Sequence, residues 1–347
     1  MAVQVFDFGI SVFEHFFDPK KRLFIGYLIA ALGIAFFWLL ISKKLTIRHA
    51  LRKIFDRSVF FSTSSRADFK VFLINRAFTL FISPLLLTQL VVATFIFNLL
   101  LEVDWGAWSF GLEPSKAVVV ASFTFCVFVL DDFTKYIVHR WMHKWPLLWS
   151  LHKVHHSASH LTPITIYRTH PLEGIVFSLR SAFTQGLSIA VFFYLFGNQV
   201  DLFTVLGANV LVFAFNVAGS NLRHSHIGIQ YWRWLEYILI SPAQHQLHHS
   251  IAEEHYDKNF GATLALWDWL FGSLHHSVET EGLALGVSDD TSDAAHGLYA
   301  LYVLPLLEMG RYFTTKTKEL KPALGRVAHR LPWRSKPGLK NRIKSSP

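Results

Sequence analysis

The sequence AVVVASFTFCVFVLDDFTKYIVHRWMH occupies residues 117–143 and joins an apolar run to two histidines spaced four positions apart. Ala117 to Val138 is long enough for a helix to cross a bilayer, at about 1.5 Å per residue. Residues four apart share one face of a helix, so His139 and His143 point the same way from its end. The stretch predicts a membrane helix that carries imidazoles to one membrane surface.

The composition of the whole chain also favours a membrane protein. The 347 residues are 52% hydrophobic and 16% charged, with 33 Phe and 11 Trp, and the mean hydropathy is +0.33. Soluble cores rarely hold so much apolar surface. On such a chain a net charge of +9 favours basic loops beside anionic lipid over nucleic-acid binding. The single cysteine, Cys126, excludes an internal disulfide scaffold and a thiolate metal cluster.

Other apolar runs bring the predicted number of crossings to five. Leu23 to Ser42 is a retained span, because it starts too far from Met1 and lacks the small-residue end of a signal peptide. Ala77 to Leu101 is a second span, kinked at Pro84. The run from 174 to 219 is too long for one span and is divided at Gly197-Asn198 into two antiparallel crossings.

The distribution of lysine and arginine orients these spans. The loop 43–70 carries eight basic residues, whereas the loop 102–116 carries three acidic residues and Lys116. Basic loops remain in the cytoplasm, so we expect segments 139–173, 220–296 and the C-terminal tail to lie inside. The predicted fold is an all-α integral membrane bundle with a cytoplasmic histidine-rich cap. We divide the chain into an N-terminal membrane region (1–115), a histidine-rich domain (116–276) and a C-terminal amphipathic segment with a basic tail (277–347).

Three histidine clusters, HRWMH at 139–143, HKVHH at 152–156 and HQLHH at 245–249, follow predicted spans on the same side of the membrane. Eight imidazoles in one place repel when protonated and lose hydration when buried, unless metal ions take their lone pairs. One ion cannot use eight ligands, so we expect two, and imidazole suits Zn, Cu, Fe and Ni. His224, in RHSHI, follows the fifth span and is expected to complete the set. The predicted ligands are His139, His143, His152, His155, His156, His224, His245, His248 and His249.

The remaining histidines receive weaker assignments. Four have no partner at ligand spacing and are expected to be solvated or interfacial: His15, His49, His296 and His329. Five lie near the clusters and are weaker candidates for a ligand or supporting role: His160, His170, His255, His275 and His276.

Metal-bound histidines need hydrogen-bond acceptors on their outer ring nitrogens. Asp132 lies seven residues before His139, two helical turns away on the same face, and is the first candidate. The further candidates are Asp131, Asn221, His226, Asn259 and Asp268. Arg168 and Glu173 flank His170-Pro171, and each is expected to bind a lipid headgroup or a neighbouring charge.

Aromatic segments predict contacts with the membrane surface. Tyr231 to Ile240 and Leu264 to Leu274 are rich in aromatic residues but too short to span, so we expect interfacial helices. Tryptophans outside the apolar runs are interpreted as interfacial anchors, namely Trp141, Trp145, Trp149, Trp232 and Trp234.

The ordered motifs HRWMH, HKVHHS, RHSHI, HQLHHS and DKNFGATLALWDWLFGSL resemble the fatty acid hydroxylase and sterol desaturase superfamily over Asp131 to Leu274. The resemblance implies two iron ions, with zinc as a substitute, held by the nine histidines, and no further catalytic residue. It also implies activation of O2 and oxidation of an unactivated C–H bond in a lipid, which the orientation predicted from lysine and arginine places at the cytoplasmic face. The first span and the basic tail lie outside the resemblance.

A separate electron donor is expected, because O2 reduction needs two electrons and the sequence contains no flavin, nicotinamide or iron–sulfur motif. The resemblance implies a ferredoxin, cytochrome b5 or flavoprotein reductase, which the basic cytoplasmic surface would steer if it were acidic. Hydroxylation is the leading prediction for a fatty acyl, polar lipid, ether lipid, carotenoid or sterol-like substrate, and desaturation is the near alternative.

Two other classes of protein are less favoured. A metal transporter would place its ligands near the bilayer midplane, whereas these clusters flank the ends of predicted spans. A zinc hydrolase would need a motif such as H-E-x-x-H, which the sequence lacks.

Overall fold

The computed structural model describes residues 2–102, 114–287 and 293–328, and this part of the chain is mostly helical. A two-residue antiparallel hairpin pairs strands β1 (Thr204–Val205) and β2 (Ala208–Asn209). The helices are α1 (Ala2–Phe17), α2 (Ile25–Ile41), α3 (Ile47–Ile54), α4 (Arg57–Phe60), α5 (Thr63–Ile82), α6 (Gln89–Glu102), α7 (Lys116–Lys144), α8 (Pro146–His156), α9 (Pro171–Phe196), α10 (Val210–Val217), α11 (Pro242–His248), α12 (Leu266–Leu270) and α13 (Leu304–Ala328).

Three helical segments of the described chain are long and apolar enough to cross a membrane: Thr63–Glu102, Lys116–Lys144 and Pro171–Gln199. The first consists of α5 and α6, which are joined through a 3-10 turn containing Pro84. The sequence predicts a kink at Pro84, but the helix is interrupted there between Ile82 and Gln89, and the helical path begins well before Ala77. The second continues past Val138 and carries the first histidine cluster in its last turns. These segments are those of a membrane protein.

The prediction of a fifth crossing is wrong. Helix α10 has 8 residues, which is about 12 Å against the roughly 30 Å of a bilayer core. The preceding residues form the hairpin, whose turn holds Leu206 and Gly207 at positive φ, and Gly219 at φ 92° follows the end of α10. The apolar composition predicted a span because it contains no signal for this hairpin. Helix α2, at 17 residues, is a shorter apolar helix, so the first crossing stays a prediction.

The long helices pack closely around α9, which supports the histidine-rich end of the bundle. Gly186 of α9 lies against α6, where an added Cβ would meet Val92 at 2.8 Å, so only glycine allows this approach. Helix α7 packs on the same helix, with an ion pair of 3.0 Å between Asp131 and Arg180. The packing fixes where α7 ends and where its histidines lie.

The predicted interfacial segments form shorter helices than expected. Segment 231–240 contains a 3-10 turn at Leu235–Tyr237, and segment 264–274 contains α12. Trp232 and Trp234 are exposed, and their rings stack with centroids 6.1 Å apart. Contact of these rings with a membrane stays a prediction.

Two predictions concern the C-terminal region. Helix α13 contacts α8 through the ion pair of Lys153 with Glu308, and it continues through Lys316 to Ala328. The first part of the predicted basic tail is therefore helical. The rest of the tail, with His329, and most of the acidic loop, at 103–113, lie outside the described residues. The three-part division of the chain stays a prediction.

Candidate metal centre

Local sequence explains how the three histidine clusters meet. Trp145 has an extended backbone and Pro146 occupies the first turn of α8, so the chain leaves α7 and starts a new helix at once. Helix α11 begins with Pro242 behind Ser241, which forms a capping box with Gln244. Short helices with firm starts thus bring HKVHH and HQLHH against the end of α7.

The nine predicted ligands form two groups. The five-histidine group consists of His139, His143, His152, His156 and His248, and the four-histidine group consists of His155, His224, His245 and His249. Within each group, one ligand atom per histidine lies within 4.8 Å of all the others. The structure therefore brings all nine side chains together, at two centres.

The two H-x2-HH clusters are shared between the centres in opposite ways. In HKVHH the first and last histidines, His152 and His156, join the five-histidine group, while His155 joins the other. In HQLHH the first and last histidines, His245 and His249, join the four-histidine group, while His248 joins the five. Residues i and i+4 share a face and i+3 is offset, so the motif serves two adjacent centres.

The ring nitrogens show that the two groups fit metal ions. Nε2 of His139 and Nε2 of His248 face each other at 3.0 Å, and Nε2 of His224 lies 3.1 Å from His155 and 3.0 Å from His245. Further ring nitrogens are buried without a partner, namely Nε2 of His143, His152 and His156 and both nitrogens of His249. Nitrogen atoms converging in this way, with no proton donors between them, are the donor set that borderline metals such as zinc and iron prefer.

Burial keeps these imidazoles uncharged. Burial lowers the pKa of His152 to about 3. Burial, and then electrostatic repulsion from His152, lower the pKa of His155 to about 4. The pKa values of His156, His224, His245, His248 and His249 also fall well below 6.5, first through burial and then through neighbouring histidines. At neutral pH their lone pairs are free for a metal.

One loop orients two members of the five-histidine group. Nδ1 of His139 lies 2.7 Å from the carbonyl of Phe260, and Nδ1 of His248 lies 2.7 Å from the carbonyl of Lys258. A carbonyl accepts only, so each Nδ1 carries the proton and each Nε2 faces inward. Asp257 and Asn259, in the same loop, adopt positive φ values of 60° and 56°.

A buried carboxylate orients a third member. Oε1 of Glu173 lies 2.8 Å from Nδ1 of His152, and both side chains are almost fully buried. Sequence reasoning missed this contact, since it assigned Glu173 to a headgroup or a neighbouring charge. No spacing rule links residues 152 and 173, because α9 meets α8 only after the chain has turned back through 157–170. Arg168, by contrast, binds a neighbouring charge as predicted, at 3.0 Å from Asp68.

The prediction that Asp132 accepts a hydrogen bond from a metal-binding histidine is wrong. Its carboxylate accepts hydrogen bonds from the backbone of Thr263 and Leu264 and from Nε1 of Trp267, and none from His139. Helical spacing placed Asp132 on the same face as His139 but could not show that N–H groups of segment 263–267 would bind its carboxylate. Asp131 is bound to Lys135 and Arg180 instead of a histidine.

Asn259 and Asp268 support the ligands indirectly. Asp268 accepts from the backbone N–H groups of Phe260 and Gly261 at 2.8 and 2.7 Å. Asn259 donates to the carbonyl of Gln244 and accepts from the N–H of His275. Both side chains therefore hold the loop whose carbonyls orient His139 and His248.

The other supporting candidates lie elsewhere. Asn221 contacts Arg22, and Nε2 of His226 binds the carbonyl of Lys53. His170 accepts from the N–H of Leu172 at the start of α9, and His255 packs against His275. None of these joins either group, and neither do His160, His275 or His276.

Of the four histidines expected at the surface, the three that the structure describes differ in their burial. His49 is exposed and bonds Thr46, as expected. His15 is buried, with Nδ1 3.0 Å from the carbonyl of Ser11, so its prediction as a solvated or interfacial residue is wrong. His296 is partly buried and lies 2.8 Å from Nη2 of Arg168.

A cavity of about 280 Å³ opens onto the five-histidine group. His143, His156 and His248 line it together with Trp149 and Tyr256, whereas no member of the four-histidine group does. The ring of Trp149 lies 5.1 Å from that of His143, so Trp149 is part of this wall, and its role as a membrane anchor stays a prediction. Reactants can reach the five-histidine group from this side.

Residues 124–273 match the model of the fatty acid hydroxylase family. This segment runs from α7 past α12 and contains all nine histidines. It is a fatty acid hydroxylase domain. The resemblance stated from the histidine motifs is therefore confirmed.

Relatives of the hydroxylase domain oxidise several kinds of lipid. The chain is 29% identical to an ornithine lipid hydroxylase of Rhizobium tropici over 194 residues, 55% of this chain and 53% of the relative. It is 25% identical to human alkylglycerol monooxygenase over 47% of this chain and 33% of the relative. It is 32% identical to a delta(7)-sterol 5(6)-desaturase of Gibberella zeae over 47% of this chain and 42% of the relative.

The chain thus spans about half, or less, of the length of these relatives. No solved structure matches it.

Proposed function

We propose that this chain is a membrane oxidoreductase that hydroxylates a lipid, with one iron ion in each histidine group. The observation that carries the proposal is the pair of buried centres formed by nine uncharged imidazoles within a fatty acid hydroxylase domain. When bound, the two ions would supply the activation of O2 and the oxidising power needed to break an unactivated C–H bond. Zinc would occupy the same ligands without redox activity.

The residues of the chain hold and protect this chemistry. Burial keeps the ligand nitrogens unprotonated and excludes water from the four-histidine group. The carbonyls of Lys258 and Phe260 fix two imidazoles with Nε2 inward. The cavity beside Trp149 leaves a way for reactants to the five-histidine group. The difference in access between the two histidine groups supports a site in which the five-histidine centre is open to reactants and the four-histidine centre is closed.

A polar or ether membrane lipid is the proposed substrate class. Two relatives named above are an ornithine lipid hydroxylase and an alkylglycerol monooxygenase, which favours a lipid with a polar headgroup. The three candidate membrane segments would keep such a lipid beside the cap. Entry from the cytoplasmic leaflet follows from the lysine and arginine distribution.

Desaturation by the same site is the second candidate, and the sterol desaturase relative at 32% identity favours it. Hydroxylation adds one oxygen atom to the lipid, whereas desaturation removes two hydrogens. Mass spectrometry of the product therefore separates the two reactions.

The proposed electron donor is a separate ferredoxin, cytochrome b5 or flavoprotein reductase that docks at the cytoplasmic face. Attraction between a basic surface and an acidic donor weakens as ionic strength rises. With the donor limiting, turnover should therefore fall when salt is raised. Turnover that does not change with salt would remove electrostatic docking from the proposal.

The test is lipid mass spectrometry of cells that express the full chain under ¹⁸O2. The expected product is a membrane lipid that gains one labelled oxygen, is absent with His249→Ala and is retained with the exposed-site control His49→Ala. An unchanged lipid profile in folded, iron-loaded protein would contradict the proposal. A product that lacks two hydrogens and carries no label would replace it with the desaturase.

A further inference from the structure

In the described part of the chain, some arginines of the hydroxylase domain and its surroundings pair with a carboxylate, whereas others do not. Arg168 is fully buried and lies 3.0 Å from Asp68, and Arg180 lies 3.0 Å from Asp131. A buried guanidinium with such a partner is compensated. Arg22 and Arg223 have no carboxylate within 4 Å among the residues that the structure describes.

Arg22 and Arg223 converge on one backbone oxygen. Nη2 of Arg22 donates to the carbonyl of Ser220 at 2.9 Å, and Nε of Arg223 donates to the same carbonyl at 3.2 Å. Nε of Arg22 donates to Asn221 at 3.3 Å. Nη1 of Arg22 and both terminal nitrogens of Arg223 make no hydrogen bond within the described chain, and none of them is fully buried, so they remain accessible to solvent or a ligand. Three donor nitrogens on two adjacent cations are therefore available to a ligand.

The Arg223 side chain is mostly buried, so its guanidinium is only partly hydrated. Arg223 is only 5% exposed, and its neighbour Arg22 is partly exposed near the start of α2. The ring of Phe215, 5.2 Å from the guanidinium carbon of Arg223, offsets part of the lost hydration. Neither this ring nor a neutral carbonyl removes the repulsion between the two adjacent guanidinium charges.

The surroundings add positive charge when metals are bound. Arg223 directly precedes His224, a member of the four-histidine group, and neutral imidazoles do not offset the charge of a divalent ion. Asp132 interacts with Arg223 electrostatically, but its oxygens accept hydrogen bonds from residues 263–267. The region beside the four-histidine group therefore favours an anion.

We propose that Arg22 and Arg223 form a binding site for an oxyanion, either the carboxylate or phosphate of a lipid or the free ion. Guanidinium groups recognise such anions through paired N–H donors. Arg22 stands at the more exposed edge and Arg223 inside, so the anion enters past Arg22. The site rests on these contacts and does not require the oxygenase chemistry.

The first test measures thermal unfolding of the full chain in neutral detergent with three probes. Decanoate carries a carboxylate on an alkyl chain, decanol carries the same chain without charge, and inorganic phosphate is the anion alone. Decanoate should raise the unfolding temperature, and decanol should not. An equal rise with phosphate would assign the site to a free oxyanion, and no rise beyond that of decanol with either anion would overturn the proposal.

The second test uses variants under the same conditions. Arg223→Gln and Arg22→Gln should each weaken the anion that binds the wild type at least tenfold, while Arg223→Lys should keep part of the affinity. Without an anion, Arg223→Gln should unfold at the same or a higher temperature than the wild type, because it removes an uncompensated charge. Unchanged binding in both glutamine variants would refute the site.

The matched control is Arg233→Gln, which alters an exposed arginine nearby in sequence. It should bind decanoate like the wild type. If Arg223→Gln fails to fold, Arg22→Gln decides the test, since Arg22 lies at the exposed edge. An equal loss of binding in Arg233→Gln would show that decanoate responds to overall charge and would overturn the assignment.

Discussion

The two histidine groups are built from the same residue type but are supported differently. In the five-histidine group, the outer nitrogens of His139, His152 and His248 bind Phe260, Glu173 and Lys258. In the four-histidine group, every Nδ1 is buried without a partner, at His155, His224, His245 and His249. Three members of the first group are oriented by hydrogen bonds to oxygen atoms, whereas in the second group packing of the rings dominates and His155 interacts with the backbone of Arg168.

The two histidine groups also differ in their access to the cavity. The five-histidine group lines a cavity, while all four members of the other group are buried and none contributes to that wall. Outer acceptors raise the basicity of histidine ligands and fix their orientation. We therefore propose unequal centres, with a tighter metal in the five-histidine group and a closed, weaker one in the four-histidine group.

The largest expected effect comes from two adjacent substitutions. His248→Ala and His249→Ala alter neighbours in sequence that belong to different groups. Each variant should keep about one metal ion per chain, from opposite centres, and lose lipid oxidation to below about a thousandth of wild type. Metal analysis and Co²⁺ absorption spectra check this, because the His248→Ala spectrum should show only a four-coordinate centre.

His49→Ala is the control for these substitutions, because His49 is exposed and outside both groups. It should keep both ions and full turnover. Identical spectra in His248→Ala and His249→Ala would remove the division into two centres.

Glu173→Gln should have the next largest effect, because it removes the negative charge that supports His152 but keeps an acceptor oxygen. Metal affinity of the five-histidine group should fall by about 10- to 100-fold, with the other centre unchanged. A Co²⁺ titration that follows the two centres separately measures this.

Asp131→Asn is the matched control, since Asp131 is a carboxylate of α7 that binds Lys135 and Arg180. It should lower the unfolding temperature and leave both metal affinities alone. Glu173→Gln behaving in the same way would show that Glu173 only stabilises the fold.

Asn259 tests the loop that supplies the two carbonyls. Asn259→Ala loses both side-chain hydrogen bonds and adds about 1 kcal/mol of strain at positive φ, whereas Asn259→Gly loses the bonds alone. We expect the affinity of the five-histidine group to fall by about tenfold in the alanine variant and less in the glycine variant. Metal titration checks the order, and equal affinity in both variants and wild type would contradict a role of the loop.

The smallest effect is expected at the cavity mouth. Lys144 and Asp257 form an exposed ion pair beside the loop, and such pairs contribute about 1 kcal/mol or less. Lys144→Ala should shift the denaturation midpoint only slightly and leave the four-histidine group unchanged. Loss of metal from either centre in this variant would show that the loop is weaker than its buried hydrogen bonds indicate.

Much of the site was predictable because its chemistry repeats at fixed helical spacing. The i, i+3 and i+4 pattern named eight of the nine histidines that the structure brings together, and His224 was predicted separately from its position in RHSHI. The same pattern could not assign the histidines to two groups. His155 and His248 join a different group from the other histidines of their motifs, which depends on how α8 and α11 pack. The partner of His152 was not predictable, since Glu173 approaches it through the fold and not along a helix.

The fold was predictable where helices are long and apolar. Helices α7 and α9 follow from composition, and the break at Pro84 follows from the missing N–H of proline. The crossing predicted before Gly219 failed, because its apolar residues form a hairpin and the 8-residue α10. Hydropathy counts apolar residues but contains little information on where turns shorten a helix.

The most direct test of the central claim is the metal content of the full-length protein after anaerobic loading with iron and removal of loose metal. We expect about two irons per chain in the wild type and about one in His248→Ala and in His249→Ala. A folded wild-type protein that holds one iron or none would contradict two histidine centres.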